Sequence, residues 1–263
     1  MNRFVENANL PVNVEKVLIG EKYKDILEKP LKKAGIEALF VPDNPLVDKR
    51  LSGHADLSVF HPGDRELLLA PYLRGSELAA LLEREGFFLR FADIVQGQKY
   101  PNDSQLNAIM VGNRLIYREK VSAGEIIQFA AVNREMELIS VKQGYVNCSV
   151  CAVDRSSIIT ADRGIAEKCR KSGMDVLLIE PGYFELDGYD CGFIGGCTFK
   201  LSSGVLAFTG RIDMHPDKER IIDFLYSHAV EVLYLTALPA FDIGGAIPIS
   251  DLFIAFSISP RIL

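Results

Sequence analysis

The segment GYDCGFIGGCTFKLSSGVLAFTG, residues Gly188 to Gly210, decides the fold class. Its pattern predicts a polar loop, a Gly-Gly segment, a strand, a Ser-Ser-Gly turn and a second strand. An apolar strand, MDVLLIE (Met174 to Glu180), and an amphipathic helix precede it. The same order of helix, strand, loop, strand, turn and strand can be laid over the chain five times, with a spacing of roughly 40 to 55 residues. The sequence therefore predicts an architecture of repeated α/β units.

Three strands are predicted in each unit. The first strand follows a helix: GIEALFVP (35–42), GFFLRFAD (86–93), EMELISVK (135–142), GMDVLLIE (173–180) and AVEVLYLT (229–236). The second follows a polar loop: ADLSVF (55–60), SQLNAIMV (104–111), NCSVCAV (147–153), GGCTFKL (195–201) and GGAIPI (244–249). Turn residues follow the second strand in every unit, Ser250-Asp251 in the fifth. The third strands are ELLLAP (66–71), RLIYRE (114–119), SIITAD (157–162), VLAFTG (205–210) and LFIAF (252–256).

Five such units predict a single domain over residues 1–263, built as a closed α/β propeller with its helices outside and a polar channel along its axis. The strand VEKVLIG, residues 14–20, stands outside the five units. We expect it to pair with the C-terminal unit and close the ring, because closure removes exposed sheet edges. The alternative is a two-layer α+β domain with an open mixed sheet.

Composition limits the partners and the location of the protein. The 263 residues carry a formal net charge of −6, which argues against binding to a nucleic-acid backbone. No apolar run reaches the ~18 residues of a membrane span, and the N-terminus lacks the apolar core of a signal peptide. The odd number of cysteines, five, is typical of free thiols in a reducing cytoplasm. Composition leaves the oligomeric state open.

At three places the repeats resemble the pentein fold of guanidine-modifying enzymes such as arginine deiminase, dimethylarginine dimethylaminohydrolase and the amidinotransferases. His54-Ala55-Asp56 is similar to the His-x-Asp motif from which those enzymes take a histidine and a guanidine-binding acid. Gly195-Gly196-Cys197 resembles their Gly-Gly-Asp strand, with a cysteine where aspartate is usual. GGAIPI (244–249) resembles the Gly-Gly-x-x-x-Cys segment that carries the nucleophile. The resemblance implies an α/β propeller and a site for an amino or guanidino group.

Two departures from the family pattern bear on activity. Ile249 stands where the nucleophilic cysteine is expected, and no cysteine follows Cys197. The His-x-Asp motif lies in the first unit, whereas the enzymes carry it late. The resemblance implies a cysteine nucleophile, a histidine acid/base and carboxylates that hold the cation. Ordinary cysteine-dependent hydrolysis from the usual position is therefore expected to be absent.

The repeat itself selects the candidate residues, because equivalent positions of repeated units converge on one axis. The polar and reactive side chains that precede the second strands are predicted to lie there. The catalytic candidates are His54, Cys148 and Cys197, and the ligand-binding candidates are Asp56, Asp103, Asn147, Asp190 and Asp242. Since the third and fourth units lie across a five-unit ring from the first, a substrate rather than a direct contact is expected to connect a thiol with His54.

Simpler interpretations of these residues stay open. A buried thiol is often a small apolar side chain, and Asp103 and Asp190 also suit turns. Cys148, Cys191, Cys197 and His54 could meet as a metal site, but Cys148 and Cys151 would point to opposite faces of a strand. We expect no metal and no cofactor. The predicted function is binding of a cationic amino- or guanidino-containing small molecule, by an atypical hydrolase or a non-catalytic relative. The alternative is an interaction module, as in the ribosome anti-association initiation factor that shares the pentein fold.

Overall fold

The computed structural model describes residues 3–132 and 136–252. The strands of this part of the chain are β1 (Arg3–Phe4), β2 (Val14–Gly20), β3 (Glu37–Val41), β4 (Val59–Gly63), β5 (Glu66–Leu69), β6 (Phe88–Phe91), β7 (Ile109–Val111), β8 (Arg114–Arg118), β9 (Glu137–Val141), β10 (Val150–Ala152), β11 (Ser157–Thr160), β12 (Asp175–Leu178), β13 (Thr198–Ser202), β14 (Val205–Phe208), β15 (Glu231–Tyr234) and β16 (Ile247–Asp251). The helices are α1 (Lys24–Lys33), α2 (Glu77–Glu85), α3 (Gly124–Val132), α4 (Val146–Ser149), α5 (Arg163–Lys171) and α6 (Lys218–Ser227).

The strands form five small sheets. Four of them have three strands each, in the orders β4-β5-β6, β7-β8-β9, β10-β11-β12 and β13-β14-β15, and the fifth has the order β1-β16-β2-β3. In every sheet an antiparallel pair is followed by a parallel pair, as in β4 with β5 and then β5 with β6. A parallel pair needs a crossover, which α1, α2, α3, α5 and α6 supply in turn. The five sheets therefore repeat one unit.

Two predictions concern the sheet that joins the N-terminal and C-terminal parts of the chain, and one of them is confirmed and the other is wrong. The N-terminal strand β2 pairs antiparallel with β16 and parallel with β3, so the predicted pairing with the C-terminal unit is confirmed. The turn predicted at Ser250-Asp251 is wrong, because both residues belong to β16, whose register shifts there. The partner of β16 comes from the N-terminus. Of the strand predicted at 252–256, residues 253–256 lie outside the described residues.

Local signals account for the other elements. Ser76 accepts a hydrogen bond from the backbone N–H of Ala79 and so caps α2, while Gly86 ends that helix with a φ of 98°. Each of the remaining predicted strands overlaps one strand of the structure. Segments 56–60 and 245–249 belong to different sheets, which excludes the open mixed sheet that would join them.

Apolar clusters connect neighbouring sheets. One of them joins Leu18 of β2, Val59 of β4 and Ile249 of β16, all buried. Another joins Ile116 of β8 to Ile158 of β11. The cores thus lie between successive units, where apolar burial stabilises the packing of one sheet against the next. No helix of the described residues is long and apolar enough to cross a membrane.

Candidate functional site

Short helical turns before the second strands form the site. A 3₁₀ turn (Ala55–Leu57) follows His54 and precedes β4, and α4 precedes β10 in the same way. Together they bring His54, Asp56 and Cys148 into one buried cluster, in which one donor atom of each side chain lies within 4.8 Å of the others. A third turn, Gly195–Cys197, precedes β13. Units that are distant in sequence thus contribute side chains to one site.

Residues at corresponding positions of the five units lie at or next to this cluster. Asp56, Cys148 and Gly196 are the last-but-one residues of their three turns. Asn107 and Gly245 stand two residues before β7 and β16, where Cys148 and Gly196 stand relative to their own strands. Side-chain chemistry at this repeated position, which we call the inner position, differs from unit to unit. The inner residues Asp56, Asn107, Cys148 and Gly196 therefore all contribute to the site.

Hydrogen bonds connect three of these units. The Cys148 thiol donates to Asp56 Oδ2 over 2.9 Å, and the Asn147 amide donates to the same oxygen over 3.0 Å. Asn107 Oδ1 accepts from the backbone N–H of Asn147 over 2.7 Å, and Asn107 Nδ2 faces the Cys148 sulfur at 3.5 Å. Asn107 was not among the predicted site residues, yet it orients Asn147 and Cys148 of α4.

Gly244 closes the site from the fifth sheet. Its φ is 71°, and a Cβ there would lie 2.6 Å from His54 Cβ and 2.7 Å from Asp56 Oδ1. Only a residue without a side chain fits this approach. The backbone N–H of Gly244 donates to Asp242 Oδ1, and that of Phe193 donates to Asp242 Oδ2, both over 2.8 Å. The predicted Gly-Gly segment thus serves the site through its backbone.

The cluster is rich in buried acids and poor in positive charge. Burial raises the pKa of the Asp56 carboxyl to about 6, against the hydrogen bonds that it accepts. Burial also raises the pKa of Asp242 to about 7, and the charge of Asp56 adds to the effect. The pKa of His54 falls to about 3 because of burial and, second, the charge of Lys22. Burial and the nearby carboxylates raise the pKa of the Cys148 thiol well above its usual range. At neutral pH the imidazole is therefore neutral and the thiol protonated.

A surface cleft of about 710 Å³ ends beside this cluster. Tyr23 and Asp242 line it, as does the exposed Asp190. The Tyr23 hydroxyl donates to the backbone carbonyl of Asp242 over 3.3 Å, and its ring centre lies 6.4 Å from that of His54. Tyr23 and Asp242 thus form the wall between the cleft and His54.

Two small cavities also border the cluster. Each measures about 20 Å³, enough for one water molecule. Asn147 lines both cavities together with Asn9, and Asp56 lines one of them. The interior next to the site is therefore nearly filled.

The predicted residues fall into two groups. The structure brings together His54, Asp56, Asn147 and Cys148, with Asp242 packed against Gly196 and Gly244 beside them. Cys197 instead lies in an apolar cluster. Asp103 Oδ2 accepts from the Tyr145 hydroxyl over 2.5 Å, and its Oδ1 has no hydrogen-bond partner among the described residues. Asp190 lies in the cleft.

The structure bears on two expectations about the thiols. Cys148 and His54 lie in one cluster whose donor atoms are within 4.8 Å of one another, and Cys148 donates to Asp56, so the expectation that a substrate connects a thiol with His54 stays a prediction. Cys148 also lies on a helical turn and not on a strand, so strand alternation does not set its direction relative to Cys151 in β10. Ile249, at the position expected of a nucleophile, is fully buried among apolar side chains.

Sequence reasoning missed Asn107, Tyr23 and the steric role of Gly244. A signal for Asn107 was available in its distance from the following strand. Counting back two residues from β7 and from β10 selects Asn107 and Cys148, whereas the polar group Asn102-Asp103 lies further upstream. Tyr23 carried no such signal, since it belongs to a turn before α1.

Comparison with solved structures places this fold among the penteins. An inosamine-phosphate amidinotransferase from Streptomyces griseus superposes with a TM-score of 0.58 at 11% identity, covering 96% of this chain and 97% of that one. An amidinotransferase of the saxitoxin biosynthetic pathway from Microseira wollei gives 0.57 at 10% identity, with 96% and 98% covered. DDAH from Pseudomonas aeruginosa, complexed with citrulline, gives 0.52 at 10% identity, with 89% and 96% covered. The fold-level resemblance predicted from the motifs is confirmed.

Sequence comparison gives a family without an activity. The model of a family of unknown function (DUF6873) matches residues 18–247, which is most of the chain. No curated protein matches the sequence.

Proposed function

The chain belongs to the family of unknown function DUF6873, and we propose that it binds a small organic cation with an amino or guanidino group at the Asp56–Asp242 site. One observation supports this proposal above all. Asp56 and Asp242 are buried carboxyl groups, and none of the ion pairs within the described residues includes either of them. Buried carboxylates are costly, and the hydrogen bonds that both acids accept leave their pKa raised, so these bonds compensate the charge only in part. A guanidinium or ammonium ion supplies the missing charge.

The structural relatives suggest the guanidino group in particular. Two of them are amidinotransferases, and the third is DDAH with citrulline bound. Planar guanidinium ions bind carboxylates through paired hydrogen bonds. In the proposed complex the ligand enters the cleft, moves the Tyr23 side chain aside and forms ion pairs with Asp242 and Asp56. The exposed Asp190 attracts it at the mouth of the cleft.

Chemistry at this site would use Cys148. A bound cation lowers the pKa of the thiol and lets its proton pass to Asp56, whose Oδ2 already accepts it over 2.9 Å. The sulfur then forms a bond to the central carbon of the guanidinium, the carbon–nitrogen bond to the leaving amine breaks, and the amine takes the proton. Water displaces the sulfur in a second step. The Nε2 atom of neutral His54, which has no hydrogen-bond partner within the described residues, takes a proton from this water and returns it to the leaving Cys148 thiolate. The nucleophile thus stands in the third unit, not the fifth.

We also propose that the five sheets form a closed ring around an axis, with the crossover helices outside and the inner positions lining the axis. The pairing of β2 with β16 and the apolar clusters between successive sheets support closure. The five free cysteines support a reducing, cytoplasmic location.

A non-enzymatic interaction module is the second candidate. The observation in its favour is the filled interior, where the cavities beside Asn147 hold about one water molecule each and Cys148 is buried. In such a module the acids would be a remnant of an ancestral site, and partner binding would use the surface. Ligand screening separates the two candidates.

Thermal-shift measurements in EDTA with arginine, agmatine, methylated arginines and citrulline test the proposal. A guanidinium compound at ten times its Kd stabilises the protein by about 1.4 kcal/mol, or about 3–6 °C. Citrulline, which has lost the guanidinium charge, should shift the midpoint less. Asp56→Asn and Asp242→Asn should abolish the shift. Asp223→Asn, an exposed carboxyl on α6, is the matched control and should retain it.

Turnover is tested separately with a compound that binds. Cys148→Ser should keep the thermal shift and lose amine release, whereas Cys191→Ser should lose neither. If no compound shifts the midpoint, the cation site is wrong and the interaction module is favoured. If a compound binds and no amine is released by the unchanged protein, the chemical step alone is wrong.

A further inference from the structure

His54, Asp56 and Cys148 combine three kinds of metal-binding donor. An imidazole nitrogen, a carboxylate oxygen and a thiol sulfur lie within 4.8 Å of one another, and all three side chains are buried. They come from two turns in different sheets, so the backbone fixes them from both sides. Bonds of about 2.0–2.3 Å in a tetrahedral zinc site place ligand atoms about 3.3–3.8 Å apart. For zinc to bind, the longest of the present spacings, which are within 4.8 Å, would have to shorten by about 1 Å.

Two of these three side chains have a buried polar atom that makes no hydrogen bond to the described residues. His54 Nε2 and Asp56 Oδ1 are buried, and neither has a hydrogen-bond partner within the described residues. His54 is 3% exposed and Asp56 is 3% exposed, so bulk solvent does not satisfy these atoms. Buried polar atoms without a partner are uncommon in folded proteins and require an explanation. A bound ion would satisfy both atoms at once.

The surrounding amides match an outer shell. Asn147 donates to Asp56 Oδ2, and Asn107 Nδ2 faces the Cys148 sulfur. Groups in these places orient metal ligands and favour their charged forms. Gly244 blocks the side next to His54 and Asp56 with backbone alone, which leaves the cluster enclosed.

We propose that His54, Asp56 and Cys148 bind one zinc ion, with a fourth position open to water or to another small ligand. The thiol and imidazole favour a borderline-soft ion such as Zn²⁺ over Mg²⁺ or Ca²⁺, which prefer oxygen ligands. Binding releases the thiol proton to solvent and gives a thiolate bond to the ion. One carboxylate, one thiolate and one divalent ion then sum to zero charge in the buried cluster. The inference stands independently of the proposed organic cation, although both ligands would need Asp56.

The other thiols are not part of this site. Cys197 packs in an apolar cluster and Cys169 in another. Cys191 is half-buried on the loop before β13, and it serves as the matched control because its thiol is the most accessible of the five. The proposal departs from the sequence-based expectation of no metal. It also differs from the alternative set Cys148, Cys191, Cys197 and His54, because Asp56 takes the place of Cys191 and Cys197.

Cobalt titration tests the proposal. Reduced, tag-free full-length protein is stripped with EDTA, dialysed and titrated with Co²⁺, with no organic cation present. We expect a near-ultraviolet thiolate-to-cobalt band and visible bands of tetrahedral intensity that saturate at one equivalent. One equivalent of Zn²⁺ should abolish these bands and raise the unfolding midpoint.

Variants identify the ligands. Cys148→Ser should lose the thiolate band, and Cys191→Ser should keep it with unchanged stoichiometry. His54→Gln should weaken Zn²⁺ binding by at least about 10–100-fold, the loss expected even for an outer-shell partner, while its circular dichroism stays that of the unchanged protein. A band that survives in Cys148→Ser, or that disappears in Cys191→Ser, overturns the assignment. So does the absence of a one-equivalent band from the unchanged protein. Either result leaves the guanidinium screen in EDTA unaffected, so the two proposals fail separately.

Discussion

Replacing Asp56 by asparagine should stabilise the protein although it removes a residue of the site. Asn Oδ1 can accept the hydrogen bonds from Cys148 and Asn147 that Asp56 Oδ2 accepts now. The amide nitrogen then takes the place of Oδ1, which has no hydrogen-bond partner in the described part of the chain. The substitution thus preserves the hydrogen bonds and removes only the buried charge.

The magnitude follows from the raised pKa of Asp56. Burial moves this pKa from 3.8 to about 6, so the folded state holds the proton over a pH range in which the unfolded chain has lost it. The free energy of unfolding of the unchanged protein therefore falls as the pH rises from about 4 through 6. The full difference is about 3 kcal/mol above pH 7 and about half of that at pH 5. Asp56→Asn should gain these amounts, and the accompanying fall in the Asp242 pKa acts in the same direction.

Urea unfolding in EDTA at pH 5 and pH 8 measures this difference. Asp223→Asn, on the exposed face of α6, should change the free energy of unfolding by less than about 0.5 kcal/mol at both values. An Asp56→Asn variant no more stable than the unchanged protein at pH 8 would refute the claim that Asp56 is an uncompensated buried charge. An equal gain at both pH values would point to packing as its cause.

Three further substitutions or reactions give simple outcomes. Gly244→Ala should destabilise far more than Gly35→Ala, since both have positive φ but only a Cβ at Gly244 meets His54 and Asp56; comparing their urea midpoints isolates the contact. We expect a difference of at least about 2 kcal/mol, and equal losses would contradict the close approach. Ile249→Cys should cost about 2 kcal/mol, because the site is an apolar core, and iodoacetamide with peptide mass mapping should find this thiol unmodified. In the unchanged protein Cys191 should be alkylated before Cys148, whose pKa burial raises; fast reaction of Cys148 without a ligand would show that the described thiol environment is wrong.

The fold was predictable because its signals are local. Strand-length apolar runs, the Ser76 cap and the glycines that end helices lie within a few residues of the structure that they specify. The turn at Ser250-Asp251 was an exception, because both residues belong to β16. The pairing of β16 with β2, from the other end of the chain, was predicted from the expected closure of the ring and not from a local signal.

The site was predictable only in part, because direction matters as much as position. Cys148 and Cys197 lie one residue apart in register at the ends of equivalent turns. That single step moves a side chain by about 100° around a helical turn, which takes Cys197 into the core. Asp103 lies upstream of the inner position of its unit, which Asn107 occupies. The residue types were informative, but their rotation about the backbone needed the structure.

The five inner positions describe the site compactly. In chain order they hold aspartate, asparagine, cysteine, glycine and glycine, at Asp56, Asn107, Cys148, Gly196 and Gly245. The first three residues supply polar or reactive side chains. The two glycines leave space for their neighbours, since a Cβ on Gly196 would lie 1.8 Å from Asp242 Oδ1. Because the inner positions belong to separate sheets, Asp56 and Cys148 meet although 92 residues separate them. The residues at these five positions therefore describe the site of this chain better than the distance between two motifs along the sequence does.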